Sequence, residues 1–179
     1  GMTAMLAPAV AQGAAADAAW PVFGNPQGRV TITEFFEYQC PNCKRLHPQL
    51  EAFVKEHGSI RLVMKDWPIF GDISVYASRM ALAAGYTGSY QRALHGLMDL
   101  KGRLTMKRVD DSLKAAGMDT DRVRDALELN FNSIQAVLDS HAAEAKSLGL
   151  AGTPAFIVGT RLYPRVTDID AIRAAVDKG

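Results

Sequence analysis

Two cysteines separated by two residues are the feature that most constrains this sequence. Cys40 and Cys43 are the only cysteines among its 179 residues, so none is left for a structural disulfide. The β-branched and aromatic run 30–36 predicts a strand that ends at the cysteines. Pro41 has the fixed φ that suits a first helical turn, so we expect a helix to begin here and to run to about His57.

This placement predicts different roles for the two thiols. Unpaired backbone N–H groups and the positive end of the helix dipole favour a thiolate at Cys40, which is the candidate nucleophile. Cys43, one turn further along, is the candidate resolving thiol and is expected to stay protonated. A disulfide between them closes too small a loop to stabilise the fold much, so it suits exchange. A Cys-x-x-Cys motif beside a β-α-β pattern indicates redox chemistry, and the preceding strand and Pro41 disfavour two inert core cysteines.

Composition excludes several classes of partner. The 20 Lys and Arg nearly balance the 19 Asp and Glu, giving a formal net charge of +1, and no basic cluster is denser than Lys107-Arg108. We therefore expect no nucleic-acid partner. Hydrophobic residues make up 48% of the chain, enough for a packed core. No run approaches the roughly 20 apolar residues that a transmembrane helix needs, so no transmembrane segment is expected.

The cysteines could in principle supply half of a zinc site, which usually takes four Cys or His ligands with a second closely spaced pair. The four histidines offer no such pair in the sequence, although one of them, four residues after Cys43, could share its helical face. We therefore predict no metal site and interpret that histidine as half-exposed. The four are His47, His57, His95 and His141.

The N-terminal segment, residues 1–21, is rich in alanine. Ala9-Val10-Ala11 resembles a signal-peptidase site, which suggests the remnant of an export signal, but no Lys or Arg precedes Arg29. An Ala-rich arm of the mature protein is the alternative, and both interpretations stay open.

The remaining pattern predicts an α/β fold. A second strand is expected at 60–65, two more at 155–158 and 162–163, and a last helix after a capping-box spacing at 167–170. The stretch 74–148 shows no strand and is too long for a loop, so we expect it to be helical. A β-α-β half and a β-β-α half, joined through an inserted helical subdomain, account for this order. The predicted division is 22–73 with 149–179 for the two halves, and 74–148 for the insertion.

Two segments resemble the DsbA family of thioredoxin-like disulfide oxidoreductases, in its shorter bacterial subgroup. One is the passage EFFEYQCPNCK at 34–44, and the other is AKSLGLAGTPAF at 145–156. A weaker third segment lies at 78–84. The resemblance covers roughly residues 22 to 179 and implies a thioredoxin-like fold.

The resemblance also implies roles for particular residues. Thr153-Pro154 would be a cis peptide packed against Cys40, with the Thr153 backbone pairing to an extended substrate. Glu34 would be a buried acid that accepts or relays the proton of Cys43; a strand residue pointing to solvent is the alternative. Asn42 stands where strongly oxidising members have His, which leaves the redox potential open.

The expected function is a protein dithiol oxidase that uses the redox-active Cys40–Cys43 disulfide and no other cofactor. A disulfide reductase or isomerase would need the same residues with another redox partner. A peptide-binding or copper-binding module is the alternative of another class. The family resemblance implies protein or peptide thiol substrates, a quinone-linked membrane protein that reoxidises the pair, and a periplasmic or otherwise exported location.

Overall fold

The computed structural model describes residues 22–178. The Ala-rich segment 1–21, with its two open interpretations, lies outside the described residues. No helix within 22–178 combines the length and apolar character required to cross a membrane.

A five-stranded sheet forms the centre of the described chain, in the order β1-β3-β2-β4-β5. Strands β2 and β3 are parallel, and every other neighbouring pair is antiparallel. The side chains of β2 and β3 are almost all buried, as expected for strands covered on both faces. The strands are β1 (Phe23–Gly24), β2 (Val30–Phe36), β3 (Ile60–Asp66), β4 (Ala155–Val158) and β5 (Arg161–Tyr163).

Helix α1 (Pro41–His57) connects the two parallel strands. A parallel pair needs such a crossover, so the predicted β-α-β unit is confirmed. The helix ends at Gly58, whose φ of 75° is a left-handed conformation that glycine adopts without strain.

Strand β1 is an element that sequence reasoning missed. Phe23 and Gly24 pair with Leu62 and Arg61 of β3. A strand of two residues shows no alternation, so no pattern could predict it. A Cβ at Gly24 would lie 2.5 Å from the Ile60 carbonyl oxygen, which explains why glycine stands at this close approach.

Five helices occupy the predicted helical stretch between β3 and β4. Side chains cap two of them: Thr105 Oγ1 accepts the Arg108 N–H at 3.1 Å, and the Asp119 carboxylate accepts the Asp121 N–H at 3.0 Å. The helices are α2 (Asp72–Gly85), α3 (Tyr90–Asp99), α4 (Met106–Ala115), α5 (Thr120–Leu129) and α6 (Phe131–Ser147).

The last helix, α7 (Ile169–Lys178), begins one residue later than it would if the first residue of the 167–170 spacing were its cap. Asp168 fills the cap, because its carboxylate accepts the Asp170 N–H at 2.8 Å and its carbonyl accepts the Ile172 N–H at 3.4 Å. The cap is therefore the second residue of the 167–170 spacing and not the first.

Apolar side chains cover both faces of the sheet. Phe36 belongs to the larger core cluster, which includes Cys43 and Leu46 of α1. Phe35 points to the opposite face and joins a smaller cluster with Ala145 of α6. Successive residues of one strand thus anchor helices on opposite faces.

A buried ion pair connects the sheet to α6. Lys65 Nζ on β3 lies 2.8 Å from a Glu144 carboxylate oxygen, and the two side chains are 2% and 4% exposed. The buried charge of each side chain is stabilised by the other, because an unpaired charge at this depth costs several kcal/mol of folding free energy.

We predict that Glu144→Gln destabilises the fold by about 3–5 kcal/mol, because it leaves the Lys65 ammonium buried without a counter-charge. Urea unfolding of the variant measures this loss. The double variant Lys65→Met/Glu144→Leu should recover much of it. Asp111→Asn, which removes the exposed pair Lys107–Asp111, is the control and should unfold like wild type. Equal stability of Glu144→Gln and wild type would contradict the assignment.

Candidate active site

Cys40 is the N-cap residue of α1, and Cys43 lies in the helix's first turn. The Cys40 backbone is extended, and its sulfur accepts a hydrogen bond from the Cys43 N–H at 3.1 Å. Pro41 stands at the exposed start of the helix, where a missing N–H costs nothing. Both cysteines are free thiols. The local geometry thus directs the Cys43 N–H towards the Cys40 sulfur.

The helix start stabilises the Cys40 thiolate. A hydrogen bond with the Cys43 side chain, supported by Thr153 and by the Cys43 N–H, lowers the pKa of Cys40 to about 6 against the opposing effect of burial. An ordinary thiol has a pKa near 8.5, so Cys40 is largely thiolate at neutral pH. Only 3% of the Cys40 residue is exposed.

Cys43 has the opposite character. Burial, and then the hydrogen bond to Cys40 and the nearby charge of Glu34, raise the pKa of Cys43 well above its usual range. Its exposed fraction is 0%. Cys43 therefore stays a thiol while Cys40 is ionised. This difference suits Cys40 to act as nucleophile or leaving group, and Cys43 to act as the resolving thiol.

The structure brings Thr153 and Pro154 to the same sulfur. The Thr153–Pro154 peptide is cis, as the resemblance implied, and Cys40 Sγ lies 3.5 Å from the Thr153 carbonyl oxygen. Pro154 is buried, whereas Thr153 is partly exposed. A surface pocket of about 430 Å³ lies beside them, lined in part by Gly152 and Arg165.

Glu34 is buried beside the cysteines. It is 1% exposed in the centre of the sheet, between Met64 of β3 and Phe156 of β4, and its Oε2 has no hydrogen-bond partner among residues 22–178. Burial, with a contribution from the charge at Cys40, raises the pKa of Glu34 well above its usual range. The alternative of a solvent-facing strand residue was wrong.

A second buried acid, Glu37, escaped sequence reasoning. Its carboxylate accepts the Phe70 N–H at 3.3 Å and also accepts the Gln39 N–H. Its negative charge raises the pKa of Cys40. The contact with Gln39, two residues along, resembles an Asx-type turn with a longer side chain, which is a weak signal in sequence.

Asn42 does not use its side chain on the thiolate. It is exposed, and its Oδ1 accepts a hydrogen bond from Arg45 at 3.0 Å, while the same guanidinium nitrogen donates to the Thr167 carbonyl oxygen. The Asn42 side chain therefore positions Arg45.

A family model described as Thioredoxin matches residues 17–178. The chain belongs to the thioredoxin family. Two curated relatives illustrate the range of proteins whose sequences are similar to this chain. The Na(+)/H(+) antiporter NhaA 1 of Salinispora arenicola is 27% identical over 87% of the chain, which spans only 24% of the length of that relative. The thiol:disulfide interchange protein DsbA of Burkholderia cepacia is 28% identical over 74% of the chain and 64% of its own length.

A solved thioredoxin-family structure matches the whole described fold. The thiol-disulfide exchange protein α-DsbA2 from Wolbachia pipientis superposes with a TM-score of 0.90 at 26% identity, covering 99% of this chain and 95% of its own. The thioredoxin-like fold and the relation to DsbA proteins, both expected from the sequence, are confirmed.

We predict that only Cys40 is alkylated rapidly in the reduced protein, with a rate that reaches half its maximum near pH 6 because its thiolate forms there. Iodoacetamide rates between pH 4 and 9, with mass spectrometry to locate the label, measure this. Cys43→Ala should move the midpoint up by about one unit, the equivalent of one hydrogen bond to a charged group. Labelling of Cys43 as fast as Cys40 would show that the roles are wrongly assigned.

We also predict that Asn42→His makes the disulfide more oxidising. An imidazole can donate to the Cys40 thiolate, which exists only in the reduced state, whereas the Asn42 side chain is held by Arg45. One charge-assisted hydrogen bond would raise the potential by roughly 30 to 60 mV. Equilibration with glutathione measures it. Asn42→Ala, which adds no donor, should leave the potential unchanged, and an equal shift in both variants would contradict the mechanism.

Proposed function

We propose that this chain is a thiol-disulfide oxidoreductase of DsbA type that exchanges disulfides with protein thiols through Cys40 and Cys43. The opposite pKa shifts of these two sulfurs carry the proposal. An inert disulfide or two core cysteines would not need one ionised and one protonated thiol. A copper site built from both sulfurs is less well supported, because it would need a thiolate at the deeply buried Cys43.

In the oxidase direction the enzyme begins as the Cys40–Cys43 disulfide. A substrate thiolate attacks the Cys40 sulfur, the bond to Cys43 breaks, and Cys43 leaves with the electron pair and takes up a proton. The second substrate thiolate then attacks the substrate sulfur of the mixed disulfide and expels Cys40 as a thiolate. The substrate loses two electrons, and the enzyme gains them as a thiol and a thiolate. The low pKa of Cys40 makes it a good leaving group.

Glu34 is the proposed source of the proton that Cys43 takes up. Burial raises the pKa of Glu34 well above its usual range, which favours the protonated carboxyl, and in its ionised form Glu34 raises the pKa of Cys43. In the reverse reaction the same carboxylate accepts that proton.

Thr153 and Pro154 form the proposed substrate-binding edge. The adjoining pocket is open on the side that faces solvent, and the Thr153 backbone can pair with an extended peptide as a strand would. A proline cannot donate an N–H, so Pro154 does not compete for the backbone of the substrate.

The wider biological setting follows from the DsbA relatives and is part of the same proposal. We infer action on protein thiols in the periplasm or another exported location, with the dithiol reoxidised by a quinone-linked membrane protein. We also infer that 22–73 and 149–179 act as the thioredoxin-like unit, and that 74–148 is a helical subdomain inserted into it.

Two assays in parallel test the function and its direction. We expect the oxidised protein to oxidise a dithiol peptide stoichiometrically and faster than it catalyses insulin reduction by a small thiol. Cys40→Ser should abolish both activities, whereas Cys43→Ser, whose Cys40 thiolate can still attack an insulin disulfide, should accumulate a mixed disulfide with insulin. A wild-type protein inactive in both assays would contradict the proposal, and faster insulin reduction would reverse its direction.

We predict that Glu34→Gln slows dithiol oxidation by about 100-fold, the lower range for general acid-base catalysis, because Cys43 then lacks its proton source. Stopped-flow kinetics with the dithiol peptide measures the rate. Alkylation of Cys40 in the same variant is the control and should stay rapid, since Glu34 is not among the donors to its thiolate. An unchanged oxidation rate would remove Glu34 from the mechanism.

A further inference from the structure

A second cluster of reactive side chains lies one turn beyond the cysteines. His47 and Glu51 occupy positions i and i+4 of α1 and share a face, and His95 of α3 approaches the same point. His47 Nε2 lies 2.7 Å from Glu51 Oε1 and 3.1 Å from His95 Nδ1, and His95 Nδ1 also contacts Glu51 Oε1. The histidines that form no pair in the sequence therefore form one in space. His47 is also buried, at 4% exposure, and not half-exposed as we predicted.

No arrangement of hydrogen bonds suits all three contacts. If both imidazole nitrogens donate to Glu51 Oε1, the two N–H groups converge on one oxygen with their nitrogens only 3.1 Å apart. If His47 donates to His95, the unprotonated His95 nitrogen faces the carboxylate instead. Among the described residues Glu51 Oε1 is buried without a well-formed hydrogen bond, although it contacts both nitrogens. A cation that accepts a lone pair from all three would resolve this conflict.

We propose that His47 Nε2, Glu51 Oε1 and His95 Nδ1 bind one divalent transition-metal ion of the Zn²⁺ type. Two imidazoles and one carboxylate suit Zn²⁺ and similar borderline ions better than Ca²⁺ or Mg²⁺, which take oxygen ligands. Zinc bonds of about 2.0–2.1 Å set tetrahedral ligand atoms about 3.3–3.4 Å apart. The observed 2.7 and 3.1 Å separations, and the shorter His95–Glu51 contact, must all widen to reach this spacing. His95 and Glu51, which are partly exposed, have room for that adjustment.

The surroundings hold the ligands and leave a coordination position open. Phe23 packs edge-on against the His95 ring, with centroids 5.8 Å apart, which restricts its rotation. A surface pocket of about 220 Å³ adjoins Glu51 and His95. Three protein ligands with room for a fourth, such as water, is an arrangement that Zn²⁺ accepts.

The bound ion would connect two parts of the chain. His47 and Glu51 belong to the helix that carries Cys40 and Cys43, whereas His95 belongs to a helix between β3 and β4. The metal would fix these helices to each other without contacting either sulfur. This inference rests on the three ligands alone and not on the proposed redox activity.

Zn²⁺ titration of the oxidised, untagged protein by isothermal calorimetry tests the site. The Cys40–Cys43 disulfide removes both thiolates as ligands, so binding reports on the histidine cluster. We expect one Zn²⁺ per chain and a melting temperature that rises with Zn²⁺ concentration. His95→Ala and Glu51→Gln, both at partly exposed positions, should fold and weaken binding by more than about 10-fold.

His57→Ala is the matched control, because His57 lies on the same helix but bonds to the Ser59 N–H outside the cluster. It should bind Zn²⁺ like wild type. The proposal is overturned if wild type binds no Zn²⁺, if His95→Ala and Glu51→Gln bind as tightly as wild type, or if His57→Ala alone loses binding.

Discussion

The placement of Cys40 at the first turn of α1 is the constraint on which the rest of the site depends. The Cys43 N–H and side chain both turn towards the Cys40 sulfur, and the resulting stabilisation of the thiolate exceeds the cost of its burial. The same turn encloses Cys43, where burial favours the protonated thiol. One helix start therefore separates the pKa values of two chemically identical groups, which makes Cys40 the better leaving group and the thiol that is ionised at neutral pH.

The sheet fixes what the helix start faces. Strand β2 lies between β3 and β4, so the Glu34 carboxyl is buried near the cysteines. Burial away from water disfavours the ionised form and raises the pKa of this carboxyl. Strand β4 follows Thr153-Pro154 directly and carries that peptide to the Cys40 sulfur, 113 residues away in the sequence. The five helices lie between β3 and β4 in the sequence, yet β2, α1 and β4 still come together at the site.

Local signals predicted much of this arrangement. The run 30–36 and Pro41 placed the strand and the helix, and the resemblance at 145–156 identified the cis peptide. Contacts between distant residues were not predictable: His47 and His95 meet only because α1 packs against α3, and the burial of Cys40 depends on elements far along the chain. Glu37 was missed because a carboxylate that bonds backbone N–H groups in a turn has no periodic pattern.

The reduction potential of the Cys40–Cys43 disulfide tests the central claim most directly. Any interaction that stabilises the Cys40 thiolate stabilises the reduced state and makes the pair more oxidising. Equilibration of the wild-type protein with glutathione buffers should give a potential above about −230 mV, higher than that of thioredoxin, near −270 mV. A value below about −300 mV, typical of structural disulfides, would contradict the account.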